Sequence, residues 1–292
     1  IKETMKKRPT TIIVFSSITQ EGSKAAIDAL EAGALEVLAK PGGVPIFRDL
    51  GDLKKELVKK VKVLARIGPA KLALRNQLCM HYGDEYQYVM KEISYEKPLC
   101  GVILASSTGG PQTLMNIVPK ISPKLKMALL IVQHMPPLFT RSLAERLNAV
   151  SPIEIKEAED GDEVTAKRGY VAPGGYHMLV REKRGKIIIE LDRGPKVHGL
   201  RPAADITMTS AAEVWRSRTV GVVLTGMGED GLEGAYAIKK YGGVVIAQDE
   251  STSIVWGMPQ AVVKHGLADY VLPLHKIGLY INRIVMRKLG LR

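Results

Sequence analysis

Apolar residues in this chain fall in short runs, separated by amphipathic stretches and by turns marked with Gly and Pro. Thr10-Thr11-Ile12-Ile13-Val14-Phe15 is a β-branched run that reads as a buried strand. From Glu21 to Ala32, residues Ala25, Ala26, Ile27 and Leu30 recur at helical spacing, and Gly33 stops that helix. Leu35 to Ala39 predicts a second strand, ended by Lys40-Pro41, and Leu50 to Ile67 predicts a basic amphipathic helix. A strand-helix-strand-helix order is the sign of a parallel sheet.

Residues 68–97 break the pattern. They hold few apolar runs, with Gly68-Pro69 at one end and Lys97-Pro98 at the other, and read as a partly helical linker. Tyr82, Tyr86 and Tyr88 imply that some of it packs on a domain.

From Leu99 onward the pattern is that of a long α/β domain. Strands are expected at 99–105, 127–133, 169–171, 178–180, 186–191, 219–225 and 244–247, and helices at 111–118, 140–149, 204–216, 232–241 and 258–264. Lys183-Arg184-Gly185-Lys186 predicts a tight turn between antiparallel strands. The expected fold class is therefore α/β, a mostly parallel doubly wound sheet with an added antiparallel hairpin.

Length and composition narrow the function classes. The 292 residues leave room for about two domains of roughly 100–200 residues each. No apolar run approaches the roughly 18–20 residues that cross a bilayer, so membrane insertion is not expected. Cys79 and Cys100 make no disulfide framework, which fits a reducing, cytoplasmic setting, and Cys100 reads as a buried strand residue. The net charge of +12 raises nucleic acid as a partner, but aromatic residues are only 5% and no basic stretch is interleaved with them. An acidic protein partner is served equally well by this charge, and runs such as Lys54 to Lys60 read as solvated helix faces.

Three predicted strand ends carry chemistry. One runs into Ser106-Ser107-Thr108-Gly109-Gly110, one ends at His134, and one runs into Gly226-Met227-Gly228-Glu229-Asp230-Gly231. Ligands of open parallel sheets bind beyond the carboxyl ends of the strands. A hydroxyl, an imidazole and a carboxylate stand there, one of each, as a Ser-His-Asp triad requires. Ser107 would be the nucleophile, His134 its base and Asp230 the group that orients the imidazole. Gly109, Gly110, Gly226 and Gly228 would expose backbone N–H groups for an oxyanion. The competing readings are a phosphate-cradling loop at Ser107 to Pro111, a merely structural His134, and Asp230 as a helix cap. His81, His177, His198, His265 and His275 show no metal-ligand spacing, which disfavours a metal hydrolase.

These motifs come with others in a fixed order: Gln133-His134-Met135-Pro136-Pro137, Phe139-Thr140-Arg141-Ser142, Glu157 to Gly161, Ala172-Pro173-Gly174, His177-Met178, Arg201 to Asp205, and Leu224 to Gly231. From Leu99 to its end the chain thereby resembles the chemotaxis protein-glutamate methylesterase family, CheB. The resemblance implies a serine esterase, without a cofactor, that removes methyl groups from glutamate γ-methyl esters on chemoreceptors, and in many members deamidates receptor glutamines. It puts the family's triad on Ser107, His134 and Asp230, and matches Thr108 and Met227, with Gly109 and Gly228 beside them, to positions near the reacting carbonyl. One departure is visible: the family usually has Gly-Ala before the nucleophile, where this chain has Ala105-Ser106, so that Ser106 is the alternative nucleophile.

The N-terminal part resembles the last two βα units of the receiver domain that precedes the esterase in this family. The resemblance makes Ser16 (or Ser17) the switch hydroxyl and Lys40 the lysine that contacts the phosphoryl group. It implies residues 1–67 as half a receiver, 68–97 as linker and 98–292 as the catalytic domain. A histidine kinase would be a partner beside the chemoreceptors, and Mg2+ would serve only phosphorylation, through the receiver's earlier half. Half a doubly wound sheet leaves exposed edges and an unburied helix face, and Ile1 is not a start Met, so an earlier segment is expected. The other reading is a truncated receiver kept as scaffold. In the family the unphosphorylated receiver covers the esterase cleft.

Overall fold

The computed structural model describes residues 1–40, 50–69, 71–72 and 99–291. Most of the expected linker, with Tyr82, Tyr86, Tyr88 and Cys79, lies outside the described residues. Leu72 is buried with Leu35, Leu64 and Ile254.

Seven strands form one parallel sheet in the order β11-β10-β9-β3-β4-β6-β5. These are β3 (Cys100–Ser106), β4 (Met127–Gln133), β5 (Glu154–Glu157), β6 (Arg168–Val171), β9 (Thr219–Val223), β10 (Val244–Gln248) and β11 (Tyr270–Leu272). The central strands are buried along their whole length, as strands covered on both faces must be. Their side chains alternate between two cores. Val102, Leu104, Leu129 and Ile131 face one, and Ile103, Ala105, Leu130 and Val132 the other.

The first core is covered by α4 (Gly110–Ile117), α5 (Phe139–Val150) and α9 (Leu274–Lys288), the second by α6 (Ala204–Trp215), α7 (Leu232–Lys240) and α8 (Met258–Lys264). Trp215 of α6 lies so close to β3 that a Cβ on Gly101 would come within 2.0 Å of its ring. The expected hairpin, β7 (His177–Lys183) and β8 (Lys186–Asp192), is antiparallel but forms its own two-stranded sheet instead of extending the large one. Strands β5 and β11, at the two edges, and helix α9 were not foreseen.

In the N-terminal segment, β1 (Ile13–Ser16) and β2 (Glu36–Ala39) pair in parallel, with α1 (Lys2–Lys7), α2 (Gln20–Glu31) and α3 (Leu50–Leu64) around them. The helix face expected to be left bare is covered. Ala26, Ile27 and Leu30 of α2 are buried in the same core as Leu114 of α4 and Leu143 of α5. Ser23 and Ser142 join their hydroxyls at 2.8 Å, Gln112 donates to the Leu30 carbonyl, and Arg146 pairs with Glu31. Phe15 stays 39% exposed, so the β1 side is only partly covered.

Candidate active site

The chain leaves β3 toward β4 on one side and later returns to β9 on its other side. The order of connection therefore reverses at β3, where doubly wound sheets place their ligands. Ser107, His134 and Asp230 follow β3, β4 and β9 at this point.

Ser106 and Ser107 have different surroundings. Ser106 is fully buried and its hydroxyl donates to Gln133 Oε1 at 2.7 Å. Gln133 Nε2 in turn donates to the carbonyls of Ser107 at 2.9 Å and His134 at 3.3 Å. One amide thus clamps the two strand ends together. Ser107 is half-buried and closes toward β9, its N–H donating to the Thr225 carbonyl at 3.0 Å. The turn that follows needs its glycines. Gly109 has φ +78°, and a Cβ on Gly110 would stand 2.0 Å from Gln133 Oε1. Gly226 leaves no room either, since its Cβ would lie 2.8 Å from the Ser107 Cβ and 2.2 Å from Met258 Sδ.

His134 Nε2 lies 2.6 Å from Asp230 Oδ2, with both side chains almost wholly buried. The Asp230 oxygens also accept the N–H groups of Ala204 at 2.6 Å and Asp205 at 3.0 Å, in the first turn of α6. Burial pushes the Asp230 carboxyl up, but the His134 hydrogen bond and charge and these two donors outweigh it and hold it below its ordinary value. Donation of Nε2–H to the carboxylate leaves Nδ1 as the basic nitrogen. Nδ1 is buried and has no hydrogen-bond partner among the described residues, so the Ser107 hydroxyl does not engage it in this conformation. Such bonds commonly tighten only when substrate is bound.

The four residues expected around an oxyanion divide. Thr108 Oγ1 donates to Glu36 Oε2 at 2.6 Å, and the Gly109 N–H donates to the Leu35 carbonyl at 3.2 Å. Both are occupied by the N-terminal segment. Gly228 is exposed at φ +84° and Met227 is half-buried, on the opposite loop. Glu36 is itself paired with Lys60 at 3.2 Å, and Lys60 with Glu56 at 3.1 Å. Burial alone would lower the Lys60 ammonium, but the two carboxylates raise it. Ser16 and Lys40 stand at adjoining strand ends, with the Lys40 N–H on the Ser16 carbonyl at 2.7 Å and the Ser16 hydroxyl on the Gly22 carbonyl at 2.6 Å.

Sequence reasoning missed three residues of this site: Gln133 as the clamp, Glu36 as the cover, and Asp205 beside the triad carboxylate. Spacing could not show the grouping of His198, Asp205 and Asp230, whose ligand atoms lie within 4.8 Å of one another. The Asp205 and Asp230 oxygens are already committed to N–H donors.

The chain is similar to known proteins over most of its length. The family model described as CheB methylesterase matches residues 102–281. A protein-glutamate methylesterase/protein-glutamine glutaminase of Pyrococcus abyssi is 48% identical over 282 residues, which is 96% of this chain and 75% of that protein. The Thermotoga maritima protein of the same name is 40% identical over 280 residues, 95% of this chain and 78% of that one. The crystal structure of the Thermotoga maritima CheB methylesterase catalytic domain is 46% identical, with a TM-score of 0.63, and covers 64% of this chain and 98% of that one.

Proposed function

This chain belongs to the CheB methylesterase family, and we propose that it hydrolyses glutamyl side chains with Ser107 as nucleophile, His134 as general base and Asp230 as the group that orients the imidazole. Its activity is that for which the relatives are named, protein-glutamate methylesterase and protein-glutamine glutaminase. The observation that carries the residue roles is the buried His134–Asp230 pair, with Nδ1 free, beside the half-buried Ser107.

Ser107 Oγ attacks the carbonyl carbon of a glutamyl γ-methyl ester while His134 Nδ1 takes its proton. Asp230 stabilises the imidazolium. The negative oxygen is met by N–H groups of the Gly109 loop, at the start of α4 where the helix dipole also favours negative charge, and of the Gly228 loop opposite it. The C–OCH3 bond then breaks, His134 returns the proton to the leaving oxygen, and methanol departs. A water molecule, deprotonated by His134, hydrolyses the glutamyl-serine ester to glutamate and free Ser107. With a glutamine substrate the leaving group is ammonia. No step requires a cofactor.

The Glu36 and Leu35 contacts support a regulatory reading. While Thr108 and the Gly109 N–H are occupied by the N-terminal segment, they are not free for substrate, and undocking frees them. Residues 1–67 read as the later half of a receiver, 68–97 as linker and 98–292 as the catalytic domain. The parallel β1–β2 pair and the closeness of Ser16 and Lys40 fit the switch of such a receiver. A histidine kinase would supply the phosphoryl group. Carboxylates of the receiver's earlier half would hold Mg2+, so no residue described here is assigned to it. The substrates are the cytoplasmic helices of methyl-accepting chemoreceptors, and the enzyme works in the cytoplasm. The formal charge of +12 suits an acidic protein partner, and no helix among the described residues is long and apolar enough to cross a membrane.

A serine-reactive fluorophosphonate tests this reading. Labelling localised to Ser107 supports it, and no labelling would favour a phosphate-binding loop.

A further inference from the structure

Two aspartates at the start of α6 and α7 cap each other's helix. Asp230, just ahead of α7, accepts the N–H groups of Ala204 and Asp205 in the first turn of α6. Asp205, in that same turn, returns the favour: its Oδ1 accepts the N–H groups of Gly231 and Gly234 at the start of α7, each at 2.8 Å. Its Oδ2 takes His198 Nε2 at 3.0 Å, from the loop after β8. Asp205 and Asp230 are only 5% and 1% exposed. Two carboxylates held this close in a buried site repel one another, and the helix N-termini offset part of the cost.

The reciprocal arrangement has a mechanical consequence. Gly231 follows Asp230 directly, so whatever grips its N–H fixes the backbone that aims Asp230 at His134. It also has an electrostatic one, because a second negative charge beside Asp230 steadies the positive charge that forms on the imidazole during the reaction. Oriented supports of this kind set how well a reacting group is placed.

We propose that Asp205 is a positioning residue of the hydrolysis: by gripping Gly231 and Gly234 it holds Asp230 on His134, and its charge supports the imidazolium formed when the Ser107 proton is taken. The proposal rests on the triad reading above and deepens it. Among the described residues, the titratable groups that face Asp205 are Asp230 from the loop ahead of α7, His198 from the loop after β8 and, through Asp230, His134 from the end of β4. Glu229 and Glu233 flank the same end of α7 but are exposed. Burial first, and Asp230 second, push the Asp205 carboxyl up to about 6, against the donors of Gly234, His198 and Gly231. As pH falls, the added proton therefore goes to Asp205 before Asp230.

The test is Asp205→Asn in the full chain, which keeps the shape and removes the charge. The pH dependence of kcat/KM is measured on a methylated receptor peptide, with fluorophosphonate labelling of Ser107 in parallel. Loss of the charge should move the acid limb of the profile to lower pH by about half to one unit and lower kcat roughly tenfold, with KM within about threefold. A purely structural role would leave the limb in place, and that result overturns the proposal. If the variant does not fold, the amide resonances of Gly231 and Gly234 are titrated in the wild type. Both should share a midpoint near 6, and two unmoved amides overturn the proposal as well. A wild type that neither hydrolyses ester nor takes label would instead overturn the triad reading, and this proposal with it.

Discussion

Thr108 Oγ1 donates its hydrogen bond to Glu36 Oε2 at 2.6 Å, joining the loop beside Ser107 to the N-terminal segment through a buried carboxylate. A hydrogen bond to a charged group is worth about 1.5–3 kcal/mol. Its removal should shift the balance toward an uncovered site by roughly tenfold or more. Glu36→Ala is expected to raise the initial rate of methanol release several-fold, and Lys60, still paired with Glu56, should remain satisfied. Removal of residues 1–97 should act in the same direction. An unchanged rate in both would exclude this contact as a brake.

Ser106→Ala should still label with a fluorophosphonate and lose no more than about threefold in activity, since that hydroxyl is committed to Gln133. Peptide mapping of the labelled protein checks it, and a label that vanishes with Ser106 would move the nucleophile by one residue. Gln133→Ala should cost more, because it frees the carbonyls of Ser107 and His134 together with the Ser106 hydroxyl.

Gly226→Ala should fold yet turn over at least about tenfold more slowly, as a methyl group there meets Ser107 and Met258. Steady-state kinetics beside a thermal melt separate the two effects. A fully active variant would mean that the Ser107 loop gives way without loss of alignment.

Cys100 offers a check on the core. Burial pushes its thiol up to about 11, against the opposing charges of Arg218 and Lys288. At pH 8 only roughly one thiol in a thousand is ionised. Iodoacetamide should leave Cys100 unmodified in the native protein and modify it after denaturation, as read by mass spectrometry of the Cys100 peptide.

The legible parts of the fold were those with a strong local signal. The strand expected at 127–133 and the helix at 258–264 were found with the same bounds, because a continuous apolar run or a clear helical period marks them. Glu154-Ile155-Lys156-Glu157 escaped because an edge strand buries one face, and a single Ile carries that signal. Tyr270–Leu272 is too short to show alternation. Helix α9 did carry the pattern, in Leu274, Ile277, Ile281, Ile284 and Val285, and could have been found. The triad residues were visible because each follows a strand. Asp205, Gln133 and Glu36 act through partners 25, 26 and 72 positions away, and local pattern holds no record of such contacts.

The central claim is that the Ser107 hydroxyl attacks the substrate, and hydrolysis of a methylated receptor by purified Ser107→Ala tests it most directly. The variant should fold like the wild type and release methanol several orders of magnitude more slowly. Release at the wild-type rate would contradict the account.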